Sequence, residues 1–141
     1  MPLMYQEDLQ RLRDQPCPCQ TRFTPRTLEA YRFMNQAATA RDFNPPAIKD
    51  GRKPTDKCTN FAVSFFETLE SARRRYRQLS KTYDVVAKFG TSIGKVHILP
   101  TDGVCEDFRN HHMDLHPYVG TIFHTRVTEY HLAMPGEENA P

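Results

Sequence analysis

The chain contains no tryptophan and only six glycines in 141 residues. It also lacks any apolar run near the ~18 residues that a membrane-spanning helix requires. A transmembrane helix is therefore not expected, nor is a glycine-driven fold. No glycine-rich phosphate loop of Walker type, no Gly-x-Gly-x-x-Gly and no Gly-x-Ser-x-Gly elbow is present, so P-loop nucleotide hydrolysis and a serine nucleophile both fall away. Helix-turn-helix, zinc-finger and RNA-recognition signatures are also missing. Net charge is nearly absent as well. Nineteen Lys and Arg against 17 Asp and Glu leave +2, too little by itself to argue for nucleic acid. Met1 to Arg13 carries Gln, Glu, Asp and Arg instead of an apolar secretory core, which sets the expectation of a cytoplasmic protein.

What is present is core material for one domain. Nine Phe and six Tyr can bury enough surface to offset chain entropy, so wholesale disorder is excluded. Residues 1–22 read as an N-terminal helix with a Cys/Pro-rich segment, 23–134 as a single α+β domain and 135–141 as a polar tail. Cysteine is sparse: Cys17, Cys19, Cys58 and Cys105. Cys17-Pro18-Cys19 lacks the two-residue spacing of structural zinc sites, and no second Cys pair follows, so four reduced thiols are expected and no metal site is assigned.

Met4, Tyr5, Leu9 and Leu12 recur at helical spacing, predicting a helix over 4–14 that Pro16 stops. Residues 27–34 fit either a helix or a short strand. Asp42 to Lys57, with Asn44-Pro45-Pro46 and Asp50-Gly51-Arg52-Lys53-Pro54, reads as one long loop. Asn60 to Phe66 reads as a buried strand, followed by Thr68 as N-cap and an amphipathic helix from Leu69 to about Ser80. Short strands are then expected at Val85–Phe89, Lys95–Leu99, His112–His116 and Thr125–Leu132, with turn residues between them. That spacing favours antiparallel pairing. The fold class is thus α+β, a mostly antiparallel sheet with one central amphipathic helix and an N-terminal helix.

Several residues could carry chemistry. On a strand, His112, Asp114 and His116 share one face, opposite Met113 and Leu115. Two imidazoles and a carboxylate there could orient a general base, or bind a metal if His97, His111, His124 or His131 joined them; a solvated strand face is the other reading. Ser64 sits between Val63 and Phe65 and needs a hydrogen-bond partner. Arg32, beside Tyr31, Phe33 and Met34, is either a snorkelling surface residue or a guanidinium aimed at a carboxylate or phosphate. Strand alternation puts Glu129 on one face with Val127 and His131. Arg73, Arg74, Arg75 and Arg77 form one cationic cluster and Lys49, Arg52, Lys53 and Lys57 a second; both could meet phosphate, or be solvated faces.

Taken in order, Tyr31-Arg32, a long loop, Val63-Ser64-Phe65-Phe66 before a helix, and a late-strand Glu129 resemble the layout of ADP-ribosyltransferase-like folds of the arginine–serine–glutamate type. The resemblance implies NAD as cofactor: Arg32 would bind its diphosphate, Ser64 would brace the nicotinamide pocket, and Glu129 would stabilise the oxocarbenium-like transition state. Related bacterial toxins place histidines near NAD, which would recruit His112 or His116. Two classes of function follow. One is a small protein-interaction module, such as an immunity protein, an adaptor or a subunit of a larger bacterial or phage assembly, using the arginine face. The other is an NAD-using toxin or effector. Nucleic-acid binding through Arg73, Arg74, Arg75 and Arg77 is a third.

Overall fold

A computed structural model describes residues 1–13, 15–51 and 57–135. The tail beyond Pro135, and Arg52 and Lys53 of the second cationic cluster, lie outside the described residues. In chain order the elements are α1 (Gln6–Gln10), β1 (Leu28–Met34), α2 (Pro46–Lys49), β2 (Val63–Phe66), α3 (Leu69–Ser80), α4 (Val85–Phe89), β3 (Ser92–Ile98), β4 (Gly103–Cys105), β5 (His112–Pro117) and β6 (Val127–Leu132), with short 3-10 turns before α2, β2 and β6. The strands form one six-stranded sheet in the order β4-β5-β2-β1-β3-β6, and every pair in it is antiparallel. The fold is α+β.

Alternation builds two cores. Ala30, Met34, Val63, Phe65, Val96, Ile98, Met113 and Leu115 turn to one side and enclose Phe43 and Phe123. Phe66 and Ile93 turn to the other, where Ala72 and Tyr76 of α3 and Val85 of α4 cover them, with Phe33 packed alongside. Each fully buried side chain of this size contributes roughly 2–3 kcal/mol. The period of two resolves residues 28–34 as strand.

α3 follows its sequence signals. The Thr68 hydroxyl accepts from the Ser71 N–H at 3.0 Å, and the Ser71 hydroxyl accepts from the Thr68 N–H at 3.1 Å, which closes the first turn. The expected strand at Val85–Phe89 is instead the helix α4. Asp84 caps it, accepting from the Ala87 N–H at 3.3 Å, and Gly90 ends it at φ +78°. This local capping overrides the strand preference of Val85 and Val86.

The N-terminal helix is shorter than expected, Gln6–Gln10 instead of 4–14. The Gln15 amide donates to the carbonyls of Leu9 (2.7 Å) and Leu12 (2.9 Å), satisfying the chain where the helix stops. Leu9, Leu12 and Cys17 pack with Ala47 and Phe61 in a third small core. The long loop contains α2 and, before it, a 3-10 turn over Ala40–Phe43. β4 (Gly103–Cys105), which the sequence expectations do not include, follows the turn Pro100-Thr101-Asp102-Gly103. Beyond that turn, the expected strand at 125–132 begins at Val127, behind a 3-10 turn.

A register shift between Lys95 and Val96 re-aims β6. Val127 pairs with Val96 and packs on the first core, whereas Glu129 pairs with Lys95. Val127 and Glu129 therefore do not share the face that simple alternation gave them.

Candidate functional site

The sheet has a seam. β1 and β3 pair along their whole length, Leu28 to Met34, but β1 and β2 pair only at Tyr31 and Phe66. The main-chain groups that a continued ladder would satisfy need other partners, and for the Ser64 carbonyl Arg32 supplies one, while it also ties down the loop after β1. Its Nη1 donates to the Ser64 carbonyl (2.8 Å) and to the Ser64 hydroxyl (3.3 Å). Its Nε donates to the Asp42 carbonyl (2.8 Å) and its Nη2 to the Asn44 carbonyl (3.4 Å). The guanidinium also stands 5.8 Å from the centre of the Phe43 ring. Burial pulls Arg32 down to about 10 while nearby Asp42 opposes the fall, so it stays charged at neutral pH.

Arg32 and Ser64 form part of the wall of a cleft of about 1290 Å³. Phe33, Phe66 and Phe89 give it apolar surface, and α3 contributes Arg74 and Arg75. Among the described residues, Arg41, Lys49 and Lys88 complete six cationic side chains in the lining, against the two carboxylates of Asp42 and Asp50. Asp42 is already committed, accepting from the N–H groups of Asn35 (3.1 Å) and Thr39 (2.8 Å). Lys49 lies 4.7 Å from the centre of the Phe89 ring; burial, then Arg32 and Lys88, lower its pKa. The cleft thus offers an anion a positively charged, partly apolar wall.

The arginine cluster is divided by the helical period. Arg74 and Arg75 line the cleft, whereas Arg73 turns to β6 and donates to the Leu132 carbonyl at 3.0 Å. Arg77 is exposed and does not line the cleft.

β5 distributes its polar face over three settings. His112 lines the cleft, its ring 5.5 Å from that of Phe66 and its Nε2 3.9 Å from Asp114 Oδ1. Burial lowers the pKa of His112, and the positive charges of Arg75 and Arg32 lower it further, against the pull of Glu106. Asp114 is buried, pushed up to about 6 by desolvation and by Glu106. His116 is 1% exposed and lies against Cys58 rather than in the cleft. The face is not a solvated one. Of the other histidines, His111 lines the cleft beside His112 and meets Glu67 at 2.8 Å, whereas His97 approaches Glu29 (3.9 Å) and His131 Glu129 (3.1 Å).

Glu129, on the edge strand β6, does not line the cleft. It pairs with Lys95 at 3.2 Å, and this hydrogen bond holds its carboxyl below the usual range. Of the residues singled out from sequence, Arg32, Ser64 and His112 are therefore brought together, and Glu129 and His116 stand elsewhere. Lys49, Arg74 and Arg75 belonged to the cationic clusters already noted. Arg41, Lys88 and the three phenylalanines carried no signal beyond charge and apolarity.

The four-thiol expectation is corrected. Cys17 and Cys58 form a disulfide, Cα atoms 5.7 Å apart, while Cys19 and Cys105 keep free thiols. Among the described residues, no helix is long and apolar enough to cross a membrane. Comparison with protein-family models, with curated proteins and with solved structures found no match to this chain.

Proposed function

We propose that this protein is an ADP-ribosyltransferase-like binder of a phosphate-bearing dinucleotide, NAD, in the cleft at the β1–β2 seam. One observation carries the reading: the Arg32 guanidinium and the Ser64 hydroxyl meet at 3.3 Å in the wall of a cleft rich in cations. The placement of arginine on the first strand and serine on the second supports it too, while the glutamate stands on the last strand outside the cleft. Four of the five Arg32 donors are matched to acceptors of its own chain. Its role in this reading is to fix the cleft wall and supply positive potential, while Arg74, Arg75 and Lys49 meet the diphosphate. The phenylalanines offer stacking surface for base and nicotinamide. Glu129 would act only on a ribose that reaches β6, so turnover is tested separately from binding.

The test is calorimetric titration with NAD at low salt, with nicotinamide release followed by proton NMR. Binding that weakens about tenfold or more in Arg74→Ala/Arg75→Ala supports the reading. No binding at millimolar NAD overturns it. Release lost in Glu129→Ala would make the protein an enzyme of the toxin or effector kind.

A protein-interaction role, as an immunity protein, adaptor or subunit, is the second reading. Tyr83 and Val86, exposed at 48% and 58% beside the arginine-bearing helix, favour it by offering apolar anchors. A cytoplasmic location belongs to both readings, and there the thiol pool would keep Cys17 and Cys58 reduced.

A further inference from the structure

The Cys17–Cys58 disulfide lies on a third group that could ligate metal. His116 Nε2 is 3.5 Å from Cys58 Sγ. Ligand atoms from Cys17, Cys58 and His116 all fall within 4.8 Å of one another. Around a tetrahedral zinc, sulfur at about 2.3 Å and nitrogen at about 2.0 Å stand roughly 3.5 Å apart, and the Cys58–His116 separation already has that value. The cysteine Cα atoms, 5.7 Å apart, allow both sulfurs to reach one ion by side-chain rotation.

A second observation marks the imidazole itself. His116 is 1% exposed and its Nδ1 is buried without a hydrogen-bond partner. Buried polar atoms left this way are uncommon and cost about 1–3 kcal/mol. The ring's other contact, edge-on to Phe23 at 5.2 Å, is apolar. Zn²⁺ bound at Nε2 would leave the ring proton on that same unpartnered Nδ1, so it is Nε2, beside the sulfurs, that marks the ring as a ligand.

We propose that Cys17, Cys58 and His116 form a redox-gated site for a thiolate-preferring divalent cation such as Zn²⁺, open only when the disulfide is reduced. A dithiol reductant attacks the Cys17–Cys58 bond. It passes two electrons and two protons to the pair, leaves as its own disulfide, and frees two thiols. Zn²⁺ then binds both sulfurs and the His116 nitrogen, releasing the two thiol protons to solvent. The fourth position stays open to water or another ligand. In either state the same residues tie the N-terminal segment to the residues preceding β2 and to β5, so the oxidised and zinc-bound forms hold one fold by different bonds. The site is separate from the nucleotide cleft and does not depend on it.

The test uses the full chain in two forms, oxidised and phosphine-reduced, titrated with Zn²⁺ against a chromophoric chelator without oxygen. The reduced chain is expected to take up one equivalent with release of two protons. Its Co²⁺ derivative should show sulfur-to-cobalt charge transfer in the near ultraviolet, and the oxidised chain should show neither. His116→Ala, which leaves both cysteines in place, should weaken Zn²⁺ binding at least about tenfold. If the reduced apo chain unfolds, Zn²⁺ should restore its circular dichroism. Equal affinity in both redox states, no uptake by the reduced chain, no restoration of an unfolded one, or unchanged affinity in His116→Ala would each overturn the proposal.

Discussion

Replacing Arg32 by methionine keeps most of the side-chain volume and removes the guanidinium donors that reach β2 and the loop after β1. The Ser64 and Asp42 carbonyls then lose bonds of 2.8 Å each. A partly buried carbonyl deprived of its donor costs about 1–2 kcal/mol. The lost contact with Phe43 adds about 0.5 kcal/mol. Arg32→Met should therefore destabilise the fold by about 3 kcal/mol, read as a lower urea midpoint at unchanged slope. Arg32→Lys keeps the charge but presents a point donor instead of a planar fork, so it should recover less than half of that loss. NAD affinity should fall in both variants, since the wall that carries Ser64 is no longer fixed. A methionine variant within about 0.5 kcal/mol of wild type, or full rescue by lysine, would refute the view that the guanidinium holds the seam.

His112 gives the pH dependence of the cleft. Its folded pKa lies below the ordinary value, so the free cleft holds it neutral near pH 7. A bound phosphate favours the charged imidazole, and binding then takes up a proton. NAD affinity should rise by up to about tenfold as pH falls from ~7.5 to ~5.5, and His112→Asn should flatten the profile in calorimetry. Asp102 is 3% exposed, accepts a forked pair of hydrogen bonds from Arg126 and accepts from the Leu99 N–H. Asp102→Ala takes away that guanidinium's carboxylate, leaving it the His97 carbonyl, and should cost about 3 kcal/mol in urea unfolding. Glu129→Ala should leave NAD affinity unchanged within about twofold, because its carboxylate is outside the cleft; a larger loss by calorimetry would bring β6 into the binding surface.

The sequence made β2 and α3 readable for identifiable reasons, whereas it left β1 open between helix and strand. Val63, Phe65 and Phe66 put apolar side chains on both faces of a short run, and Thr68 marks the start of a helix whose arginines and apolar residues fall on separate sides. α4 was not readable that way. Val85, Val86 and Phe89 carry strand preference, and the cap at Asp84 acts only once Val85 has a core to pack on. The register shift at Lys95, which sends Val127 and Glu129 to different sides, is a property of two strands together. The disulfide closes over 41 residues, and nothing local to Cys17 or Cys58 announces the partner. For the same reason the company His116 keeps could not be inferred from its own strand. At the candidate site, Arg32, Ser64 and His112 were named by residue type and neighbours. The cleft that joins them depends on a seam that only the paired registers reveal.

The central claim is that the β1–β2 seam opens onto a nucleotide-binding cleft. The most direct measurement is a two-dimensional amide NMR titration of isotope-labelled protein with NAD at low salt. The account predicts saturable shifts confined to residues lining the cleft, among them Arg32, Phe33, Lys49, Ser64, Phe66, Arg74, Arg75, Phe89 and His112, with Lys95 and Glu129 unmoved. Shifts that cluster elsewhere, or no shifts at millimolar NAD in a folded spectrum, would contradict it.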